Sequence, residues 1–205
     1  MVYMHRGYTG VYRGLEQAGL AIRPAPGFWF HMPCLLISSY AAVPDAIRKH
    51  RPSHMLTLMD EHVPTPPEIP PERHHRIRVH DIIEPAEGAI PPTTDHIEGL
   101  LTFSRSWRRE APFLVHCWAG ISRSTAAAYI LLCDIRGPGH ETQIARELRE
   151  LAPHAQPNRL MIRHADQILA REGRMIAAVE SMGDARIVWE TEVVELNVLT
   201  EGLHV

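Results

Sequence analysis

The chain is 205 residues long, 45% hydrophobic, and carries a formal net charge of −3, which is enough apolar content for one buried core. That charge balance supplies no global basic field, so neither nucleic acid nor an anionic membrane surface is expected as a partner. No apolar run reaches the ~18 residues of a membrane-spanning helix, and the first 30 residues lack the uninterrupted apolar stretch of a secretory signal.

In chain order, residues 1–31 set Arg6, Arg13 and Arg23 among glycines and aromatics and read as an N-terminal extension, with Met32 as an alternative start. One domain is expected over 32–183, followed by a tail over 184–205. Short apolar runs predict strands at 35–38, 55–59, 77–80 and 113–116. Helical apolar spacing predicts helices at 44–50, 94–108, 122–136, 141–151, 158–171 and 174–182. Such alternation implies an α/β fold of three layers: a mostly parallel central sheet of four to five strands flanked by helices, with ligands bound beyond the carboxyl ends of the strands. Residues 187–199 are rich in β-branched side chains and are expected as an edge strand or a packed arm. Three cysteines without a pairing pattern point to a reducing, cytoplasmic compartment. Cys34 and Cys133 lie in apolar runs and read as core residues, Cys34 being the first choice for any redox partner of Cys117. His50 and His54 are separated by Pro52, and His74-His75 is an isolated pair, so both sets read as surface or capping histidines rather than as a metal site.

The most informative stretch joins the strand at 113–116 to the helix at 122–136: His116, Cys117, Trp118, Ala119, Gly120, Ile121, Ser122, Arg123, Ser124. With three Cys and 20 Arg in the chain, a Cys followed six positions later by Arg arises by chance in about 0.3 of such sequences. Requiring His116 and Gly120 as well lowers this to about one in a thousand. The spacing has a chemical reason. A tight turn at a helix N-terminus aims backbone N–H groups and the helix dipole at one point, which binds a tetrahedral dianion. The same field lowers the pKa of a cysteine held there and populates the nucleophilic thiolate. Arg123 faces the sulfur across the turn and offers two phosphoryl oxygens a planar fork that Lys lacks. Gly120 permits the backbone path, and Ser124 can give its hydroxyl to the sulfur as the intermediate breaks down.

His116-Cys117, five intervening residues and Arg123-Ser124 resemble the signature loop of the cysteine-based protein-tyrosine phosphatases, and the Ser-Arg-Ser ending is more similar to the dual-specificity branch. From about residue 35 to about 174 the order of elements also resembles compact bacterial tyrosine-phosphatase-like proteins. The resemblance implies Cys117 as nucleophile, Arg123 as phosphate and transition-state ligand, and Ser124 as the hydroxyl that assists thiolate release. Trp118, Ala119, Gly120, Ile121 and Ser122 would bind the phosphate with Arg123, and His116 would buttress the loop. Asn158, after Pro157, resembles a loop-bracing position, whereas Gln156 resembles the glutamine that orients water in the classical branch. No cofactor or metal is implied.

A phosphocysteine route needs an acid for the leaving oxygen. Asp81 lies 36 residues before Cys117, near where the family keeps its mobile acid loop, and the Pro- and Gly-rich stretch at 84–92 reads as a loop able to close. Glu84, Glu87 and Asp95 compete for the role. Arg159, Arg163, Arg171 and Arg174 make a basic stretch that reads as a solvated helix face, with Arg159 or Arg163 as the candidates to flank the phosphate mouth. The expected function is hydrolysis of phosphate monoesters, with protein phosphotyrosine first and a small phosphate monoester next. The rival readings are a dual-specificity or phosphoinositide phosphatase, a low-molecular-weight phosphatase or arsenate reductase, and a phosphoprotein-binding pseudophosphatase. The loop residues 118–122 contain no lysine, which argues against phosphoinositides. A low-molecular-weight enzyme would carry the loop near its N-terminus, and a pseudophosphatase usually lacks the nucleophile or the acid.

Overall fold

The computed structural model describes residues 33–188 and 191–199; the extension at 1–31 and Met32 lie outside them. The elements are β1 (Cys34–Ser39), α1 (Val43–His50), β2 (His54–Met59), a 3-10 turn (Pro71–Arg73), β3 (His74–Arg78), α2 (Thr94–Ser104), β4 (Phe113–Cys117), α3 (Arg123–Arg136), α4 (Glu141–Leu151), α5 (Arg159–Ile168), α6 (Arg174–Glu180) and β5 (Val194–Asn197). The sheet runs β3-β2-β4-β1-β5. Its first four strands are mutually parallel, and β5 is antiparallel to β1. The sheet is therefore mixed, with its single antiparallel strand at an edge.

Central parallel strands are covered on both faces and so read as continuous apolar runs. Alternate residues divide them between two layers. Leu35, Ile37, Leu56, Leu58 and Val115 enter the larger core with α2 to α6, whereas Leu36, Met55 and Leu114 meet Val43, Ala46 and Ile47 of α1 and Ile69. Helix α3 is buried on almost every side through Cys133, as a helix apolar around its circumference should be. It carries the signature loop at its N-terminus. No helix among the described residues is long and apolar enough to cross a membrane.

Three of the elements expected over 35–182 differ from the sequence reading by three or more residues at one end. Strand β3 begins at His74 and ends at Arg78 rather than spanning 77–80, because its pairing with Met55–Met59 is set by buried polar contacts that hydropathy does not register. Helix α2 stops at Ser104 rather than 108, where the hydroxyls of Ser104 and Ser106 donate to the carbonyls of Leu101 and Phe103. Helix α5 stops at Ile168 rather than 171. Asp166, only 6% exposed, accepts the N–H groups of Gly173 at 2.7 Å and Met175 at 3.0 Å, and this pins the turn into α6.

The tail supplies β5. Arg136 at the end of α3 donates to the carbonyls of Asn197 and Val198 at 2.7 and 3.3 Å and pairs with Glu147 at 2.7 Å, which clamps the strand to the helix layer. Asp166→Ala would leave two buried N–H groups without their charged acceptor. It is expected to lower stability by about 1–3 kcal/mol, read as an earlier midpoint in urea denaturation.

Candidate active site

The parallel strands β1, β2, β3 and β4 end side by side, and the loops that leave their carboxyl ends carry Tyr40, Asp60, Asp81 and the 118–122 turn. This is the edge where ligands bind in parallel sheets. Cys117 is the last residue of β4 and is 1% exposed. Its sulfur lies 3.1 Å from Ser124 Oγ and accepts the Gly120 N–H at 3.3 Å.

The turn is shaped by what holds its carbonyls. Trp118 O accepts from Tyr40 N at 3.0 Å, Ile121 O from Gln156 N at 2.9 Å, and Ser122 O from Ala126 N and Asn158 N at 2.9 and 3.3 Å. Thr191 Oγ1 donates to Ala119 O at 2.9 Å. Because trans peptides set each N–H opposite the preceding carbonyl, the N–H groups of Ala119, Gly120, Ser122 and Arg123 are turned away from these partners, toward the concave side. Gly120 has φ +74, and a Cβ there would sit 2.8 Å from Ser39 N and Thr191 Oγ1 and 2.9 Å from Ser38 C. Any side chain would clash with backbone in a conformation that already disfavours L-residues.

Arg123 is 6% exposed, and its Nη1 donates to Val79 O at 2.7 Å. Its Nε is buried without a hydrogen-bond partner, with Asp81 Oδ2 4.0 Å away. An unsatisfied guanidinium N–H beside a ring of backbone N–H groups suits a phosphoryl oxygen. Asp81 Oδ1 accepts from Ser122 Oγ at 2.7 Å and Asn158 Nδ2 at 2.8 Å. Of Asp81, Glu84, Glu87 and Asp95, only Asp81 lines the cavity of about 590 Å³ above the sulfur. Ile83, Trp118 and Ile121 give that cavity apolar walls, and Gln156 and Arg159 lie on its rim.

Asn158 joins three segments. Its Oδ1 caps α5 by accepting from Leu160 N and Met161 N, both at 3.1 Å, while Nδ2 reaches Asp81 and Ile82 O. Gln156 meets the turn through its backbone N–H. Arg163 donates to Ile83 O at 3.1 Å, holding the loop that follows Asp81. The base of that loop is tied by His80 N to Ile90 O at 2.8 Å and Ile90 N to His80 Nδ1 at 2.9 Å.

Several neighbours of the site were not read from the sequence. Asp60 Oδ1 lies 3.5 Å from Arg123 Nη1, and its Oδ2 lies 3.7 Å from His80 Nε2; its place directly after an apolar strand, at the carboxyl edge, was the available signal. The ring of Tyr40 stacks between His116 and Trp118 at 5.9 Å centroid separation on each side. The histidine expectations need correction. His54 and His74 are 7% and 6% exposed, not surface residues; His54 stacks on Phe113 and His74 bonds Thr57 at 2.7 Å. Cys34 also fails as a redox partner, since Ser39 is the residue in register with Cys117 and Cys34 lies five residues back along β1, about 16 Å by strand rise. All three cysteines are free and buried. Among the described residues no group of three or more His, Cys, Asp or Glu is placed to hold a metal ion.

No protein-family model matches the chain, and no curated protein sequence matches it. Solved structures do. The crystal structure of DUSP15 aligns with a TM-score of 0.56 at 20% identity, covering 74% of this chain and 94% of that one. The chain has a dual-specificity-like cysteine phosphatase fold. The PTP-2 phosphatase of Cydia pomonella aligns with a TM-score of 0.48 at 16% identity, over 80% of this chain and 93% of that one. Within this fold His116 is fully buried and bonded through Nε2 to Thr57 Oγ1 at 2.7 Å. Desolvation pushes its pKa down to about 4, the Cys117 backbone acting in the opposite sense, and its Nδ1 is buried without a hydrogen-bond partner. Desolvation, then the charge of Arg76, likewise takes His74 to about 4.

Both imidazoles have folded pKa values near 4 against an ordinary 6.5, so the unfolded chain binds more protons between those limits. Stability is fully present above pH 6.5 and is lost as pH falls toward 4. The urea midpoint is expected to drop across that window, and less steeply in a His74→Asn variant.

Proposed function

We propose that this protein hydrolyses phosphate monoesters through a phosphocysteine, with protein phosphotyrosine as the first-choice substrate. The observation that carries this reading is a buried sulfur under Ser124 Oγ and Gly120 N–H, facing an Arg123 Nε that has no hydrogen-bond partner. A phosphoryl dianion seated in the turn is held by the inward N–H groups and Arg123, contacts that strengthen as charge spreads over the equatorial oxygens. Cys117 Sγ attacks phosphorus in line, and Asp81 gives its proton to the departing oxygen. Asp81, now a carboxylate, takes a proton from the water that attacks the phosphocysteine, while Ser124 donates to the sulfur as it leaves. Gln156 on the rim is in position to orient that water.

The walls favour an aromatic ester. Ile83 and Trp118 line the cavity from separate segments, and a phenyl ring against them buries apolar surface. The lack of lysine in 118–122 leaves no charge suited to further phosphates, which places phosphoinositides second. The chemistry needs no metal, and free cysteines suit a reducing, cytoplasmic setting.

Cys117→Ser is expected to abolish turnover while retaining inorganic phosphate binding, measured by calorimetry, because the turn and Arg123 remain. Retention of most activity would end this reading. Asp81→Asn should slow phenyl phosphate by about 10²- to 10⁴-fold but p-nitrophenyl phosphate far less, since a good leaving group needs little protonation. Equal slowing of both would move the acid elsewhere.

A further inference from the structure

Two guanidinium groups line the cavity, and they are held differently. Arg123 is buried and donates to Val79 O. Arg159 is exposed and makes no hydrogen bond or ion pair among the described residues. Arg163, one turn further along α5, is already committed to Ile83 O. Nor does Arg159 serve its own helix. It is the first residue of α5, no acidic side chain stands in that first turn, and a cation there is opposed by the helix dipole. Its backbone is nevertheless fixed, because the preceding residue, Asn158, bonds Asp81 Oδ1 at 2.8 Å and caps α5 through Leu160 N at 3.1 Å. An unpaired cation on a fixed backbone at the mouth is preorganised for an anion brought from outside.

The apolar surface here extends past the cavity. Tyr40, Ile83 and Trp118 are large hydrophobic side chains left exposed, at 40, 47 and 58%. Ile83 and Trp118 line the cavity, whereas Tyr40 is outside its lining and stacks on the Trp118 ring at 5.9 Å. A lone aryl phosphate covers Ile83 and Trp118 but leaves Tyr40 bare, so the strip suits a ligand longer than one phosphotyrosine. A phosphorylated lipid headgroup would match the cation but not the aromatic strip. Resting on the phosphotyrosine reading above, we propose that Arg159 is a specificity-determining residue that pairs with the carboxylate of an Asp or Glu near phosphotyrosine in an extended peptide, whose apolar neighbours lie on Trp118 and Tyr40. The planar fork of Arg159 suits a carboxylate. An extended chain advances about 3.3–3.6 Å per residue, so the acidic residue stands one or two places from the phosphotyrosine. The phosphoryl group stays with Arg123 at the buried end. Pairing at Arg159 is therefore the same before and during the reaction, and such uniform binding is read in KM.

The test uses the whole chain and phosphotyrosine peptides carrying Glu, Ala or Lys at each of the two positions on either side of the phosphotyrosine. At one or more of these positions the wild type is expected to favour Glu over Ala by about twofold to fivefold in kcat/KM, the worth of an exposed ion pair. The preference should lie in KM and fade in about 1 M NaCl. Arg159→Gln should bring the Glu/Ala ratio to about one, and Arg159→Glu should favour Lys at the same position. Each ratio compares peptides within one variant, so a general change in activity cancels. A wild-type ratio of one at every position overturns the proposal. So does a ratio that Arg159→Gln leaves unchanged while both peptides slow together, which would make Arg159 a ligand of the phosphoryl group itself. Faster turnover of vesicles carrying a phosphatidylinositol bisphosphate than of the acidic peptide would also overturn it. Failure of the phosphatase reading looks different: the wild type then turns over neither the peptides nor phenyl phosphate, or Cys117→Ser keeps its activity.

Discussion

The site depends on occupied carbonyls. A seven-residue turn can aim N–H groups inward only if the oxygens opposite them find donors outside, and here those donors come from four stretches: Tyr40, Ala126 of α3, the 156–158 corner through Gln156 and Asn158, and Thr191. A buried carbonyl without a partner is costly, so the turn cannot relax inward without breaking contacts to the rest of the molecule. Rigidity at the loop is thus a property of the whole carboxyl edge. Glycine at 120 is what lets the backbone of Ser38 and Ser39 and the Thr191 hydroxyl lie this close to the turn.

Asp81 is held by the same logic. It shares Ser122 and Asn158 with the turn and the α5 cap, so the Asp81 segment and the turn are fastened to each other. Arg123 lies between Asp60 and Asp81, at 3.5 and 4.0 Å. Two carboxylates near one buried guanidinium keep its charge compensated before an anion arrives, and an incoming dianion competes with them for it.

Much of this was legible in the sequence because the informative signals were local. The turn between an apolar strand and an apolar helix placed Cys117, Arg123 and Ser124 together, and four strand-like runs gave the parallel core. Asp81 was the first choice with Glu84, Glu87 and Asp95 left in competition, since which of them reaches the cavity depends on Asn158, which lies 77 residues away in sequence. His74 was misjudged for a related reason: hydropathy started its strand three residues late, and a polar residue on a mixed face looks like a surface residue until its partner on the next strand is known. Asp60 and Thr191 carried no motif at all. Their importance comes from topology, which sets the end of β2 and the tail beside β1 against the same loop.

The hydroxyl of Thr191 lies 72 residues beyond the carbonyl it bonds. Every other outside donor to the turn precedes it, and β5, which docks against β1, follows it. While the chain is still being synthesised, Ala119 O has no Thr191 to bond and β1 has an open edge. The turn around Cys117 therefore reaches its final shape only after residues 191–197 have been made. Such an order makes the geometry at one end of β4 wait on a stretch of chain far downstream of it.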